Sequence, residues 1–207
     1  MRKLGQAVGV EAMSLYNHVA NKNDLLDGIL DLVLEEIELP EEGEPWRVAM
    51  QRRALSARRA FIRHPWAPAL IEARVSFAGA RLEYAESVLA VLRRAGFSPK
   101  QAYRAFLALD SYIYGFAFQE ASWPMDRQEV PDAVAHVETQ ISKDRCPHIM
   151  EVVGTFMDEA ARREDAPSGD SEAPTGPDEP TDRGYHEEFL FGLELLLEGL
   201  DRALKSS

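Results

Sequence analysis

The chain has 207 residues, of which 45% are hydrophobic, so it can bury a substantial core divided between one small and one larger domain. Its formal net charge of −12 argues against a protein that coats nucleic acid by bulk charge, and its single cysteine, Cys146, excludes an internal disulfide framework. Because the sequence shows neither a membrane-spanning apolar run nor a signal-peptide pattern, we expect a cytoplasmic protein without a membrane span.

The first residues predict two short helices joined by a glycine turn. Leu4, Ala7 and Val8 follow the i, i+3, i+4 spacing of an amphipathic helix, and Gly9 suits the left-handed conformation that ends it. A second short helix is predicted from about Glu11 to Val19. Such a pair is typical of a helix-turn-helix motif, whose second helix enters the major groove of DNA.

The rest of the chain predicts helices and no strand. Asn21 suits an N-cap for a third helix, and the polar segment from Pro40 to Pro45 ends the first domain. Longer helices are predicted at Trp46 to about Arg63, Gly79 to Arg94, Pro99 to about Ser122, Ile149 to Arg163 and Tyr185 to Leu204. A short segment from Pro65 through Ala73 and a short helix at His136 to Ile141 are also predicted.

Two of these later segments have distinctive compositions. The helix from Pro99 is apolar nearly all round, which predicts a central, buried position. The segment 164–182 is rich in proline and acidic residues and has no basic residue, so we expect a disordered acidic loop.

Several strings in the chain resemble the tetracycline-repressor (TetR) family of transcriptional regulators. They are similar to that family's DNA-binding domain at the start of the chain, and to the tetracycline-repressor subgroup in the middle and at the end: Arg2-Lys3-Leu4, Gly9-Val10, Ser14-Leu15-Tyr16-Asn17-His18-Val19, Asn21-Lys22, Leu25-Leu26-Asp27, Arg63-His64-Pro65-Trp66 and Phe189-Leu190-Phe191-Gly192-Leu193-Glu194-Leu195.

The resemblance implies an all-α fold with two domains. Residues 1–39 would form the helix-turn-helix DNA-binding domain, and residues 46–207 a larger ligand-binding and dimerisation domain. Compared with the family pattern, the chain opens on the second helix of the DNA-binding domain. We therefore expect the first helix to be missing, through an internal start or a lost beginning.

The resemblance also implies which residues contact double-stranded operator DNA. Residues 1–22 contain three basic residues, Arg2, Lys3 and Lys22, and a single acidic one, Glu11. This leaves a locally basic face on an acidic chain. By this resemblance Arg2 would reach a base edge or a phosphate, and base contacts are expected from Ala12, Met13 and Asn17. Phosphate contacts are expected mostly from Ser14, Tyr16, His18 and Lys22. The expected DNA-contact residues are Arg2, Ala12, Met13, Ser14, Tyr16, Asn17, His18 and Lys22. The alternative is that Met13 and Tyr16 pack in the core and that His18 is an ordinary surface histidine.

A small-molecule effector is expected to bind between the helices that start near Trp46, Gly79, Pro99 and Ile149. The resemblance implies a mostly apolar pocket with a few polar groups. The candidate lining residues are Trp66, Tyr84, Val88, Tyr103, Phe106, Asp110 and Tyr114, for which plain core packing is the alternative. Asp110 is the most informative, because a carboxylate in an apolar helix must be paired, protonated or ligand-facing.

No metal or cofactor is expected. Tetracycline binders of the family hold a drug-bound magnesium through a histidine in the segment that corresponds to Ile71 to Gly79, and here that segment contains no histidine. Glu72 could contact a hydrated metal, although a solvated glutamate is the simpler reading. We therefore predict a different effector, hydrophobic or aromatic.

A homodimer is also implied by the resemblance. The helix from Pro99 and the final helix are similar to the pair that forms a four-helix bundle with a second subunit. Gly115 and Gly192 would allow close approach there, and Phe191, Leu195 and Leu196 would supply apolar area. The alternative is that these residues belong only to an intramolecular core.

The sequence offers no enzymatic motif. It contains no glycine-rich phosphate loop, no His-Glu-x-x-His, no metal-spaced cysteines and no nucleophile elbow. Two functions remain: a dimeric repressor that an effector releases from its operator, or a shortened dimeric ligand-binding module that does not bind DNA.

Overall fold

The computed structural model describes residues 2–9, 11–16, 18–74, 79–122, 145–164 and 185–206. These residues form helices and contain no strand, which confirms the predicted all-α fold. The helices are α1 (Arg2–Val8), α2 (Ala12–Tyr16), α3 (Lys22–Glu35), α4 (Trp46–Arg63), α5 (Ala67–Ala73), α6 (Ala80–Arg94), α7 (Pro99–Ser122), α8 (Pro147–Glu164) and α9 (His186–Lys205). The short helix predicted at His136 to Ile141 and all of the predicted acidic loop except Glu164 lie outside the described residues.

Several helix ends follow from local chemistry, and those at Gly9 and Asn21 were predicted. Gly9 ends α1 with a φ of 72°. Asn21 is the N-cap of α3, where its side-chain oxygen accepts hydrogen bonds from the backbone N–H groups of Asn23 and Asp24. Ser98 and Gln101 form a reciprocal capping box at the start of α7, each side chain accepting from the other's backbone N–H.

The chain divides into two compact units, and the first contains residues 1–121 and 191–207. Within it α3 packs against α4, α5 and α6, and α4 also packs against α6. The core of this unit is apolar, and its fully buried members include Met50, Phe61, Ile71, Val88, Leu92, Phe97, Leu109, Ile113, Leu193 and Leu197. The second unit, residues 122–190, contains α8 and the beginning of α9.

The prediction that α7 is central and buried is wrong for one of its faces. One face of α7 is buried through residues such as Ala105, Leu109 and Ile113, but Tyr103, Leu107 and Phe118 are exposed. The error arises because an all-round apolar helix can be covered on one face by its own chain and on another by a different molecule, which sequence periodicity cannot distinguish.

Candidate DNA interface and effector site

The predicted DNA-contact residues lie on α1, on α2 and at the start of α3. Arg2 begins α1, and α2 contains Ala12, Met13, Ser14 and Tyr16. His18 follows α2, and Lys22 is the first residue of α3; both are exposed. Asn17 lies outside the described residues.

Helix α2 presents large side chains to solvent. Met13 is 73% exposed and Tyr16 is 48% exposed, so neither is core in this structure. Single exposed apolar residues are common on protein surfaces, so this exposure allows contact with a partner and does not require one. In this structure both side chains are therefore accessible, and their contact with DNA stays a prediction.

Helix α3 connects this surface to the helical body. Arg74, the C-cap of α5, donates from Nε to the Asp27 carboxylate over 2.7 Å and from Nη2 to the backbone carbonyl of Asn23 over 3.1 Å. The hydrogen bond from Arg74 lowers the pKa of Asp27 below its ordinary value. On the same helix, burial raises the pKa of Asp31, whose carboxylate also accepts a hydrogen bond from the backbone N–H of Ala80. These contacts tie α3 to the end of α5 and the start of α6.

A buried polar cluster lies where α4, α6 and α7 meet. We use "Arg53 cluster" for Arg53, Tyr84, Asp110 and Tyr114. Arg53 Nη2 donates to Asp110 Oδ1. The hydroxyls of Tyr84 and Tyr114 lie 3.4 Å from Asp110 Oδ1 and Oδ2, respectively. Asp110 is therefore paired with a cation and two phenols, one of the situations that its place in an apolar helix predicted.

Aromatic rings surround this cluster. The Arg53 guanidinium carbon lies 5.0 Å from the centre of the Tyr84 ring, a cation–π distance. Tyr84 in turn meets Phe106 edge-on at 6.4 Å, and Tyr114 meets Phe61 in the same way at 5.4 Å. The cluster therefore combines charge with flat apolar walls, a composition typical of small-molecule sites.

Burial controls the ionisation of the cluster. It raises the pKa of Asp110, an effect that the Arg53 guanidinium opposes. Burial also raises the pKa values of Tyr84 and Tyr114, so both phenols remain protonated at neutral pH and can act as donors.

The structure brings together only part of the predicted effector site. Tyr84, Phe106, Asp110 and Tyr114 lie in or beside the cluster. Val88 is fully buried on α6. By contrast, Trp66 and Tyr103 are exposed on the surface.

Sequence reasoning missed Arg53. Its side chain is fully buried, although arginines are almost always assigned to the surface. The available signal was its spacing: Arg53 lies on the same face of α4 as Met50, Ala57 and Phe61, all of them buried.

A groove opens beside the cluster between α5 and α7. Its volume is about 450 Å³, and it is lined by Pro68, Ala69, Glu72, Ser111, Tyr114, Gly115 and Phe118. Tyr114 belongs both to the groove and to the Arg53 cluster. Within the described part of the chain, no group of three or more His, Cys, Asp or Glu side chains could hold a metal ion.

The predicted dimer residues differ in their surroundings. Phe191 and Leu195 of α9 are 69% and 57% exposed. A Cβ added at Gly115 would meet no atom within 4 Å. At Gly192 it would come within 2.8 Å of the Tyr112 ring in the same protomer. Gly192 thus has an intramolecular reason to be glycine. Leu196 is half-buried.

A helix-turn-helix arrangement next to a larger helical body with a buried polar site is typical of helix-turn-helix transcriptional regulators. The family model for the tetracyclin repressor-like C-terminal domain matches residues 39–167. The chain belongs to this family.

Comparison with individual proteins agrees with this assignment. The chain is 38% identical over 124 residues to an HTH-type transcriptional regulator of Saccharopolyspora erythraea, a match that covers 59% of this chain and 52% of that protein. It is 27% identical over 203 residues to the HTH-type transcriptional repressor DrrR1 of Streptomyces coeruleorubidus, covering 97% of this chain and 69% of that protein. The first match thus spans about half of the relative's length.

Among solved structures, the fold is similar to that of the TetR family protein ActR of Streptomyces coelicolor in complex with actinorhodin. The TM-score is 0.68 at 22% identity, with 99% of this chain and 87% of that chain covered. Among the described residues, no helix is long and apolar enough to cross a membrane.

Proposed function

We propose that the protein is a ligand-responsive transcriptional repressor that binds operator DNA as a homodimer and is released by a small-molecule effector. The match to the tetracyclin repressor-like family over residues 39–167 carries this proposal. We also propose that residues 1–39 form the DNA-binding domain and residues 46–207 the ligand-binding and dimerisation domain. A role on DNA places the protein in the cytoplasm.

The candidate DNA surface supports the first part of the proposal. Met13 and Tyr16 are presented to solvent on α2, and the exposed Lys22 begins a helix that Asn21 caps firmly. A recognition helix needs exposed side chains that reach base edges, and flanking cations that neutralise phosphates. Arg2, Ala12, Ser14, Asn17 and His18 complete the proposed contact set.

The test is fluorescence anisotropy with labelled duplex DNA from the region beside the gene. Specific binding should weaken steeply with salt, because each phosphate contact releases condensed counterions. Lys22→Gln should weaken binding and reduce the salt slope by about one unit, whereas the matched change at the exposed Lys100 should leave both unchanged. Equal losses in the two variants would contradict the assignment of Lys22 to the interface.

Exposed apolar residues on α7 and α9 support the proposed dimer. Phe191 and Leu195 on α9 and Tyr103 and Leu107 on α7 are large apolar residues that the described part of the chain leaves exposed. Two recognition helices about one DNA turn apart are what paired half-sites require. Phe191→Glu should convert the protein to a monomer in light scattering, while Leu32→Glu, at an equally exposed site on α3, should not.

The effector is proposed to be hydrophobic or aromatic and not a magnesium–tetracycline complex. The segment 71–79 has no histidine, and its Glu72 is exposed on the rim of the groove; residues 75–78 lie outside the described part of the chain. Tight, magnesium-dependent tetracycline binding in calorimetry would contradict this.

Effector binding would be transmitted to the DNA-binding surface through α3. An effector can shift the protein between two states only through its different affinity for them. Helices α4 and α6 carry Arg53 and Tyr84 and pack against α3, and Arg74 pairs with Asp27 on α3. A shift of α4 and α6 around a bound effector would therefore move α3 and the recognition helix beside it.

A second candidate function is a dimeric ligand-binding module without DNA binding. It is favoured by the family match, which starts at residue 39 and thus covers only the helical body. Effector binding and dimerisation without any salt-dependent DNA binding would support this second function over the first.

A further inference from the structure

The Arg53 cluster has more hydrogen-bond donors than acceptors. Arg53 is completely buried, and only its Nη2 has a partner; its Nε and Nη1 have none among the described residues. The single carboxylate of Asp110 faces three side chains that can donate: Arg53, Tyr84 and Tyr114. Buried N–H groups are almost always paired in native proteins, so the cluster lacks an acceptor.

A charged donor calls for a strong acceptor. Hydrogen bonds between a guanidinium and a carboxylate oxygen are shorter and stronger than neutral ones, and Arg is the side chain best suited to carboxylates. A neutral carbonyl or a buried water could fill the same space but would gain less from Arg53. The chemistry of the unpaired donors therefore favours an anionic oxygen.

The surroundings define the rest of the ligand. The Tyr84 ring lies against the guanidinium and Phe106 packs on Tyr84, while Tyr114 belongs both to the cluster and to the groove of about 450 Å³ between α5 and α7. Arg53 itself does not line the groove, so a molecule in the groove would reach it only if the Tyr114 ring turned aside. The walls it meets, such as Phe118 and Pro68, are apolar.

We propose that the effector is an aromatic carboxylate whose oxygens accept hydrogen bonds from Arg53 Nε and Nη1 while its ring system lies in the groove against Phe118 and Pro68. This inference rests on the proposed ligand-sensing function and narrows it to one chemical class. Arg53 is then the residue that selects the effector, and Asp110 holds its guanidinium in place from the opposite side.

The experiment compares acids with their uncharged amides in calorimetry on the full chain, without DNA. The probes are benzoate and benzamide, 2-naphthoate and 2-naphthamide, and anthraquinone-2-carboxylate and its carboxamide. For at least one ring system, we expect the acid to bind roughly tenfold or more tightly than the amide, the range of a charged hydrogen bond.

Two variants link this preference to the cluster. The double variant Arg53→Gln/Asp110→Asn removes both charges together, so that neither is left buried alone. It should bind acid and amide to within about twofold of each other, the level expected without a charged hydrogen bond. Arg59→Gln, on the same helix but with an exposed side chain, should retain the full preference. If circular dichroism shows that the double variant does not fold, the comparison of acids with amides on the wild-type protein still tests the inference.

Equal binding of acid and amide, no binding of any probe, or a preference that survives in the double variant would each overturn the inference; the donors would then be satisfied by buried water. The result is separable from the repressor proposal. A carboxylate preference in a protein that ignores DNA rejects the repressor and leaves this inference standing. If DNA binding is relieved only by the uncharged probes, the repressor proposal stands and this inference is rejected.

Discussion

Adjacent arginines on α4 allow the value of burial to be measured directly. Arg58 lies inside the protein and binds Glu120 of α7, whereas Arg59 lies at the surface and binds Glu38. We consider the same substitution, to glutamine, at each position. Residue type, helix and kind of partner are matched, so the difference between the two variants reports mainly the surroundings.

The structure sets the magnitudes. Arg58 and Glu120 are only 3% and 7% exposed, and they form two hydrogen bonds of 3.0 and 2.7 Å. Arg58→Gln leaves the Glu120 carboxylate buried without its cation, which costs about 3–5 kcal/mol. The Arg59–Glu38 pair has the similar length of 2.8 Å, but its side chains are 53% and 42% exposed. Loss of such a surface pair costs about 0.2–1 kcal/mol.

Urea unfolding followed by circular dichroism at 222 nm tests this, with protein concentration held constant because dimerisation would shift the midpoint. With a slope of about 2–3 kcal/mol per molar urea, Arg58→Gln should lower the midpoint by about 1–2.5 M and Arg59→Gln by less than about 0.5 M. Similar shifts in the two variants would refute the argument that burial decides the effect. A further check is Arg58→Met/Glu120→Leu, which should recover most of the loss because apolar replacements remove both charges.

Three other predictions concern helix ends, close packing and tyrosine ionisation. Asn21→Ala should destabilise the protein by about 1 kcal/mol in the same urea assay, because two backbone N–H groups of α3 lose their acceptor. Gly192→Ala should cost about 1–3 kcal/mol through its clash with the Tyr112 ring. The control Gly199→Ala, with open space around it, should be neutral or stabilising, and a reversed order would contradict the packing seen here. Burial raises the pKa of Tyr112 to about 12 and that of Tyr84 well above its ordinary value of 10.0, so stability should be intact below pH 10 and fall as pH rises beyond it. In a titration at 295 nm these phenols should ionise together with the loss of helical signal, and ionisation near pH 10 in the folded protein would contradict their burial.

Local chemistry explains which parts of the fold could be predicted. Gly9, Asn21 and the Ser98–Gln101 box each end or begin a helix through contacts within a few residues, so the sequence contains the whole cause. The bounds of α4 were predicted at Trp46 and Arg63 for the same reason, since breakers and the apolar period are both local.

The proposed effector site depends on contacts between residues distant in sequence, so the sequence predicted only part of the Arg53 cluster. Asp110 could be identified because an acid in an apolar helix needs an explanation, but its partner Arg53 lies 57 positions away. Tyr103 and Tyr114 lie on nearly the same face of α7, being eleven residues or about three turns apart. Only Tyr114 is covered, because cover comes from neighbouring helices and not from α7 itself.

Helices α4 and α7 are joined by two buried arginine–carboxylate pairs, which differ in how fully their hydrogen-bonding groups are used. In the Arg58–Glu120 pair both carboxylate oxygens accept from the guanidinium, an arrangement that fixes the helices and leaves little to gain from a ligand. In the Arg53–Asp110 pair the guanidinium keeps unpaired donors beside aromatic rings. Unmet hydrogen-bonding capacity destabilises the empty protein and is recovered when a suitable acceptor binds. The Arg58–Glu120 pair therefore fixes α4 against α7, while the Arg53–Asp110 pair leaves donors available to the proposed effector.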